Sequence, residues 1–166
     1  NKAKTEDLMG VYEKLVGDRR LFLYGYFAPL ESRVIPRTDQ FSTHYIADTI
    51  TAMNMDSQVK PIWLTIDSGG GSVEDGLLLY DAIKMSVAPV HTVARKALSM
   101  ASVVLCAGTL GHRYVYPSAR TMVHDVSGQF AGSAAEFEDA ATEMKKIREV
   151  IIDIYLANGI KQTRKE

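Results

Sequence analysis

The chain has 166 residues, 46% of them hydrophobic, and its 19 basic and 20 acidic side chains give a formal net charge of -1. A chain of this size can bury one substantial core, so a single domain over residues 1–166 is expected. The balanced charge gives no electrostatic case for binding nucleic acid or an anionic membrane surface, and no apolar run approaches the ~18 residues that span a bilayer. The single cysteine, Cys106, excludes an intrachain disulfide and fits a cytoplasmic protein.

Strand-like and helix-like segments alternate along the chain. This order predicts parallel β-α-β crossovers and an α/β fold with helices on both faces of a central sheet. In chain order we predict a helix over 7–16, a strand over 20–24, a loop over 27–37, a helix over 38–53, a strand over 61–66, a helix over 72–85, a strand over 90–94, a helix over 99–107, short strands over 113–115 and 121–124, and a helix over 133–157. Ser133 and Glu136 have the spacing of a capping box, and Asn158-Gly159 ends the last helix.

Three glycines follow the strand over 61–66, in the segment Ser68-Gly69-Gly70-Gly71-Ser72. Glycine at a strand-to-helix turn lets the backbone approach a ligand, and the free amides there can bind an anion or an oxyanion. The other interpretation is a tight turn that needs a positive φ. No Gly-Lys-Ser/Thr follows and the G-x-G-x-x-G spacing is absent, so the segment is neither a phosphate loop nor a dinucleotide fingerprint.

Ser99 lies in the segment Ala97-Leu98-Ser99-Met100-Ala101-Ser102, between a strand-like run and a buried, helix-like run. It is either the N-cap of that helix, a role that serine fills well, or a nucleophile beside amides that could hold an oxyanion. His124 ends the strand-like run TMVH and is the best-placed general base for such a hydroxyl. His44, His91 and His112 form no metal-ligand spacing with it, and we expect no metal and no cofactor.

The segments TIDSGGGSVEDGLLLYDAIK and ALSMASVVLCAGTLGHRYVYPSARTMVHDVSG, together with the long helix after Ser133, resemble the ClpP family, the proteolytic subunits of the Clp protease. The resemblance runs in order from about Val11 to Gly159. It includes the glycine turn, Ser-Met, Tyr-Pro, Met-Val-His and the 25 positions that separate Ser99 from His124.

The resemblance implies a serine endopeptidase on the ClpP/crotonase-type β-α-β spiral with a protruding handle helix. Ser99 would be the nucleophile, His124 the general base, and the amides of Gly71 and Met100 the oxyanion hole. By the family's register the third triad acid, an aspartate, would follow Glu166, outside this sequence.

The same resemblance implies an assembly and partners. The family forms stacked heptameric rings, with ring-to-ring contact through the long helix and a glycine-containing strand, here Gly128 to Gly132. An ATP-dependent AAA+ unfoldase would dock on hydrophobic pockets at Trp63 and Tyr114 and feed in unfolded polypeptides, which would bind as an added strand.

The sequence departs from the family's pattern at several positions. Arg95-Lys96 replaces Gly-Gln, Gly69 replaces the proline of the glycine turn, and Val126 replaces the proline after the histidine. The segment over 27–40 is longer than usual. These departures indicate a divergent member, phage-encoded or a specialised paralogue. Asp125 is a poor orienter of His124, because neighbouring residues on a strand point to opposite faces.

Three other functions stay open. The first is an inactive ring-building homologue, favoured by the missing acid and opposed by the presence of both Ser99 and His124. The second is a ClpP-like phage protease that matures capsids without an unfoldase. The third is an acyl-CoA enzyme of the related crotonase fold, which would use the glycine turn but has no need for the paired serine and histidine.

Overall fold

The computed structural model of the chain describes residues 2–27 and 42–160. It divides into two compact units, Asn1–Met122 and Val123–Glu166. The predicted loop over 27–37 and the predicted helix start at residue 38 lie almost wholly outside the described residues. That the chain forms a single domain stays a prediction.

The first unit is built around four parallel strands in the order β1-β2-β3-β4. Its elements are α1 (Lys2–Gly17), β1 (Arg20–Phe27), α2 (Thr43–Asp56), β2 (Ile62–Gly71), α3 (Val73–Met85), β3 (Val90–Leu98), α4 (Met100–Ala107) and β4 (Arg113–Met122). A helix joins each pair of neighbouring strands, as parallel pairing requires. The predicted α/β fold is confirmed.

One face of this sheet forms the core of the first unit. Ile62, Leu64 and Ile66 point to that face and are fully buried, whereas the residues between them are only partly buried. Helices α2, α3 and α4 contact one another in turn and form one layer over the buried face. The prediction of helices on both faces of the sheet stays a prediction, because the opposite face of β2 is only partly buried in the described residues. That face leaves Trp63 and Thr65 partly exposed.

Strand β2 continues through the three glycines, which the sequence analysis placed in a turn. It does so because β1 continues beside it: Tyr26 pairs with Gly70 and Phe27 with Gly71, after a register shift at Gly25. Gly70 has a φ of 85° and Gly71 a φ of 137°, values that side-chain-bearing residues rarely adopt. The positive φ expected for a tight turn occurs here without the turn, and the predicted end of the strand is wrong.

Strand β4 is one strand where the sequence analysis predicted two short ones. The register with β3 shifts between Val115, which pairs with Ala94, and Arg120, which pairs with Lys96. Pro117 lies in the resulting irregular stretch, and β4 is an edge strand, where proline is tolerated. The strand ends at Met122, so the prediction that His124 ends a strand is wrong.

In the second unit, residues 123–133 form neither helix nor strand, and α5 (Ala134–Ala157) follows. Gly128 to Gly132 form no strand within the chain, and their pairing with another copy stays a prediction. The predicted helix and its capping box are confirmed: the Ser133 side chain accepts from the Glu136 amide, and the Glu136 side chain accepts from the Ser133 amide. Asn158 caps the end of the helix, and no residue of α5 is buried.

Over the described residues, no helix combines the length and the apolar character needed to cross a bilayer.

Candidate active site

Ser99 occupies the junction between β3 and α4 in a strained backbone conformation, with φ 54° and ψ -130°. Such a conformation is unfavourable for any residue with a Cβ and persists only where the surrounding structure enforces it. The main chain around Ser99 is held on both sides. Its amide donates to the Met122 carbonyl at 2.9 Å, and its own carbonyl accepts from the amide and hydroxyl of Ser102 at 2.8 and 2.5 Å.

The other helix-start serines provide an internal comparison. Ser42, Ser72 and Ser133 all have negative φ, and the side chain of each accepts a hydrogen bond from the amide three residues later. This is the ordinary geometry of an N-cap. The side chain of Ser99 makes no such capping bond. Of the two roles that the sequence left open, capping is therefore the one that the geometry disfavours.

The glycine segment and the Ser99 junction approach each other closely at Gly70. A Cβ added at Gly70 would lie 2.6 Å from the Leu98 carbonyl oxygen, 2.8 Å from the Ser99 Cβ and 2.9 Å from the Met100 nitrogen. Only glycine fits there. Gly70 thus brings the backbone of β2 against the start of α4, where the first amides have no acceptor within the helix.

The two predicted oxyanion donors have different surroundings. The Met100 amide lies beside Gly70, while the Met100 side chain turns into the core and packs against Gly76. Gly71 lies against the Phe27 backbone, where an added Cβ would clash. The structure brings Gly70 and Met100 to Ser99, and the oxyanion role of Gly71 stays a prediction. Sequence reasoning missed Gly70 as the contact residue, since three consecutive glycines give no signal that separates them.

His124 belongs to the second unit, two residues past the end of β4. Its neighbour Asp125 accepts from the Arg148 guanidinium, whose Nε lies 3.1 Å from Oδ1 and 3.3 Å from Oδ2. The Asp125 carboxylate is therefore already engaged within its own unit. The strand alternation that argued against Asp125 does not apply, because β4 ends at Met122, and the identity of the third acid stays a prediction. The pairing of Ser99 with His124 stays a prediction.

Trp63 and Tyr114 lie together on a partly exposed face of the sheet. Their rings stack with centroids 5.9 Å apart, and His91 packs edge-on against Trp63 at 4.7 Å. His112 stacks on His91, with centroids 4.2 Å apart and planes 9° from parallel. We call Trp63, His91, His112 and Tyr114 the ring cluster. Sequence reasoning found Trp63 and Tyr114 through the family resemblance but missed both histidines, which only the pairing of β3 with β4 brings together.

Two further groups have shifted pKa values with clear causes. Burial, and secondly the electrostatic effect of the neighbouring His112, lower the pKa of His91. Burial raises the pKa of the Cys106 thiol to about 11, so this cysteine is a protonated core residue at neutral pH. The described residues contain no group of three or more histidine, cysteine, aspartate or glutamate side chains that could hold a metal ion.

The chain thus has a parallel α/β fold with a strained serine at a strand-to-helix junction, close against a glycine segment. Comparison with known proteins identifies the family that has these features. The family model described as Clp protease matches residues 3–165. The chain belongs to the Clp protease family. It is 32% identical over 146 residues to a curated protein of Deinococcus radiodurans named ATP-dependent Clp protease proteolytic subunit, an alignment that covers 87% of this chain. The alignment spans 66% of the length of that relative.

Proposed function

We propose that the chain is the proteolytic subunit of a ClpP-type serine peptidase, with Ser99 as its nucleophile. The observation that carries the proposal is the strained backbone of Ser99 beside Gly70, at a helix start where the Ser99 side chain makes no capping bond. A helix cap needs no strain, whereas a nucleophile presented at a sharp strand-to-helix turn commonly has it. Membership of the Clp protease family supports the same assignment.

In the proposed reaction, the Ser99 hydroxyl attacks the carbonyl carbon of the scissile peptide bond and gives its proton to His124. The amides of Met100 and Gly71 hold the negative oxygen of the tetrahedral intermediate. His124 then donates its proton to the leaving amine, and water releases the acyl group by the same steps. Because Arg148 already binds Asp125, a different carboxylate is proposed to orient the imidazole.

Labelling with a fluorophosphonate, followed by mass mapping of the modified peptide, tests the nucleophile. We expect the probe to modify Ser99, and Ser99→Ala to abolish both labelling and peptide cleavage, a loss of at least about 10³-fold, while assembly is unchanged. Ser42→Ala is the matched control, because Ser42 starts a helix as an ordinary cap and should leave labelling intact. If the assembled protein does not label, the inactive ring-building subunit becomes the better assignment.

The same proposal includes assembly into stacked heptameric rings, a cytoplasmic location and feeding by an AAA+ unfoldase. The exposed apolar side chains of α5, among them Phe137 and Val150, support an interface between copies of the chain. The stacked, partly exposed pair Trp63 and Tyr114 supports the docking of an apolar segment of the unfoldase. The Deinococcus relative is named as the proteolytic subunit of an ATP-dependent protease, which supports a partner that hydrolyses ATP.

Replacing both docking residues, in Trp63→Ala with Tyr114→Ala, separates the peptidase from its partner. Cleavage of a short fluorogenic peptide should persist, while ATP-dependent degradation of a folded substrate with the unfoldase should be lost. An unchanged ATP-dependent rate would contradict docking at these residues. Efficient protein cleavage without any ATPase would favour the phage maturation protease.

A further inference from the structure

The ring cluster contains two groups that change charge near neutral pH, stacked face to face. The rings of His91 and His112 lie 4.2 Å apart and nearly parallel. Two neutral imidazoles at this separation pack as aromatic rings, whereas two imidazolium ions would repel each other strongly. The pair therefore favours the state in which at least one ring is neutral.

The environment of His91 further opposes a charge. Its Nδ1 is buried and has no hydrogen-bond partner among the described residues, and one edge of its ring lies against Trp63. A proton on this nitrogen would be buried without an acceptor, which is unfavourable. His112 differs, because its Nδ1 lies 3.2 Å from the Tyr114 hydroxyl.

The groups around the pair do not compensate a positive charge. On β2 the neighbour is Trp63, which carries no charge, and Arg20 of β1 is in register with it one strand further away. On β4 the neighbours are Tyr114 and Arg113, whose Nε donates instead to the Gly108 carbonyl at 2.6 Å. Among the described residues, His112 is the titratable group that shifts the pKa of His91, and it lowers that pKa as burial does.

We propose that the ring cluster is a proton-gated docking surface, which accepts an uncharged apolar side chain of the ATPase partner while His91 is neutral and releases it when His91 takes up a proton. The inference rests on the proposed docking function and adds His91 and His112 to it. An uncharged occupant matches the cluster because, at neutral pH, four rings without a carboxylate present an apolar surface. That occupant would also exclude water from His91 and so disfavour its protonation further.

By linkage, the occupant and the proton must weaken each other's binding equally. If the occupant lowers the affinity for the proton by about tenfold, then protonation lowers the affinity for the occupant by about tenfold as well. Binding should therefore be full above the ordinary histidine range and should decrease as the pH falls through the lowered pKa of His91.

Trp63 is the only tryptophan in the chain, so its fluorescence reports directly on the ring cluster. The probe is N-acetyl-leucyl-phenylalaninamide, an uncharged apolar peptide that has no tryptophan of its own. We expect it to change the Trp63 emission at pH 8 and to bind more weakly at pH 5, by up to about tenfold, with circular dichroism confirming the fold at both values.

Variants at the pair test the gate. His91→Gln with His112→Gln should bind the peptide with the same affinity at both pH values. His112→Gln alone should move the midpoint of the gate to higher pH, because it removes the charge that lowers the pKa of His91. His44→Gln is the matched control: His44 lies on α2, 3.6 Å from Asp75 and outside the ring cluster, and the gate should persist.

Each result has a distinct meaning. Equal binding at both pH values in the unmodified protein overturns the gate and leaves the docking surface standing. The gate is also overturned if the double glutamine variant keeps the full pH dependence. Absence of binding at every pH overturns docking at this cluster and the gate with it, while the nucleophile proposal is judged separately by labelling of Ser99.

Discussion

Helices α4 and α5, which flank β4 in the sequence, differ sharply in how they are stabilised. Helix α4 has 8 residues and buries seven of them, whereas α5 has 24 residues and buries none. The position of α4 is enforced by core packing, which also holds Ser99 in its strained conformation. Helix α5 depends on local interactions: its capping box and ion pairs such as Lys146–Glu143 at 3.1 Å.

The difference indicates where each unit performs its proposed task. Catalysis needs a hydroxyl and amides held within a fraction of an ångström, and a buried helix start provides that precision. Assembly needs an accessible apolar surface, and the exposed side chains of α5 provide it. The predictions below, from the largest expected effect to the smallest, test whether the two regions really divide the work in this way.

Among the variants that compare the two regions, Gly70→Ala should have the largest effect, because the added Cβ would meet the Leu98 carbonyl and the Met100 nitrogen at the candidate oxyanion site. We expect peptide cleavage to fall by about 10²-fold or more. Gly111→Ala is the matched control: Gly111 has nearly the same φ, 84° against 85°, but nothing within 4 Å of an added Cβ. Similar kinetics for the two variants would mean that close approach at Gly70 does not matter.

Val104→Ala and Val150→Ala compare the two helices with one chemical change. Val104 on α4 is fully buried, so its truncation should lower the free energy of unfolding by about 2 kcal/mol. Val150 on α5 is 47% exposed, and its truncation should change the stability of the isolated subunit by less than about 0.5 kcal/mol. Urea titration measures both. If Val150→Ala proves as destabilising as Val104→Ala, α5 is not stabilised locally.

Ser133→Ala removes the cap of α5 and should destabilise the start of that helix by about 1 kcal/mol. Hydrogen exchange of the amides of residues 134–137 measures this local loss of stability. Ser42→Ala applies the same test to the start of α2. Unchanged exchange would show that the capping box does not hold the helix.

The capping box also predicts a pH dependence. Hydrogen bonds from the Ser133 amide and hydroxyl lower the pKa of Glu136 below its ordinary value of 4.5. Because the folded state binds this proton less tightly, the stabilisation is present above pH 4.5 and is lost as the pH falls through the lowered pKa. Hydrogen exchange at the start of α5 should therefore accelerate as the pH falls through the lowered pKa of Glu136, and Glu136→Gln should remove the acceleration. If Glu136→Gln leaves the pH profile of hydrogen exchange unchanged, the pH dependence arises from another group.

Modification of Cys106 has the smallest expected effect on function, and its rate reports on the burial of α4. Its pKa of about 11, against an ordinary 9.0, leaves about 100-fold less thiolate at pH 8. Iodoacetamide should therefore modify the native protein at least about 100-fold more slowly than the protein in denaturant. Fast modification of the native protein would show that α4 opens readily.

The sequence determined the order of the elements, since the alternation of strand-like and helix-like runs depends only on local periodicity. It also determined the capping box at Ser133 and Glu136, because a cap involves residues three positions apart. Motif resemblance pointed to Ser99, His124, Gly71, Met100, Trp63 and Tyr114.

Only the tertiary structure decided the features that depend on pairing between distant residues. Strand β2 continues through Gly71 because β1 runs beside it, and no local pattern in β2 encodes that neighbour. The strained φ of Ser99 separates it from three capping serines, although a serine precedes all four helices. His91 and His112 become a stacked pair because adjacent parallel strands bring residues about 20 positions apart into register, a relation that the order of residues does not contain.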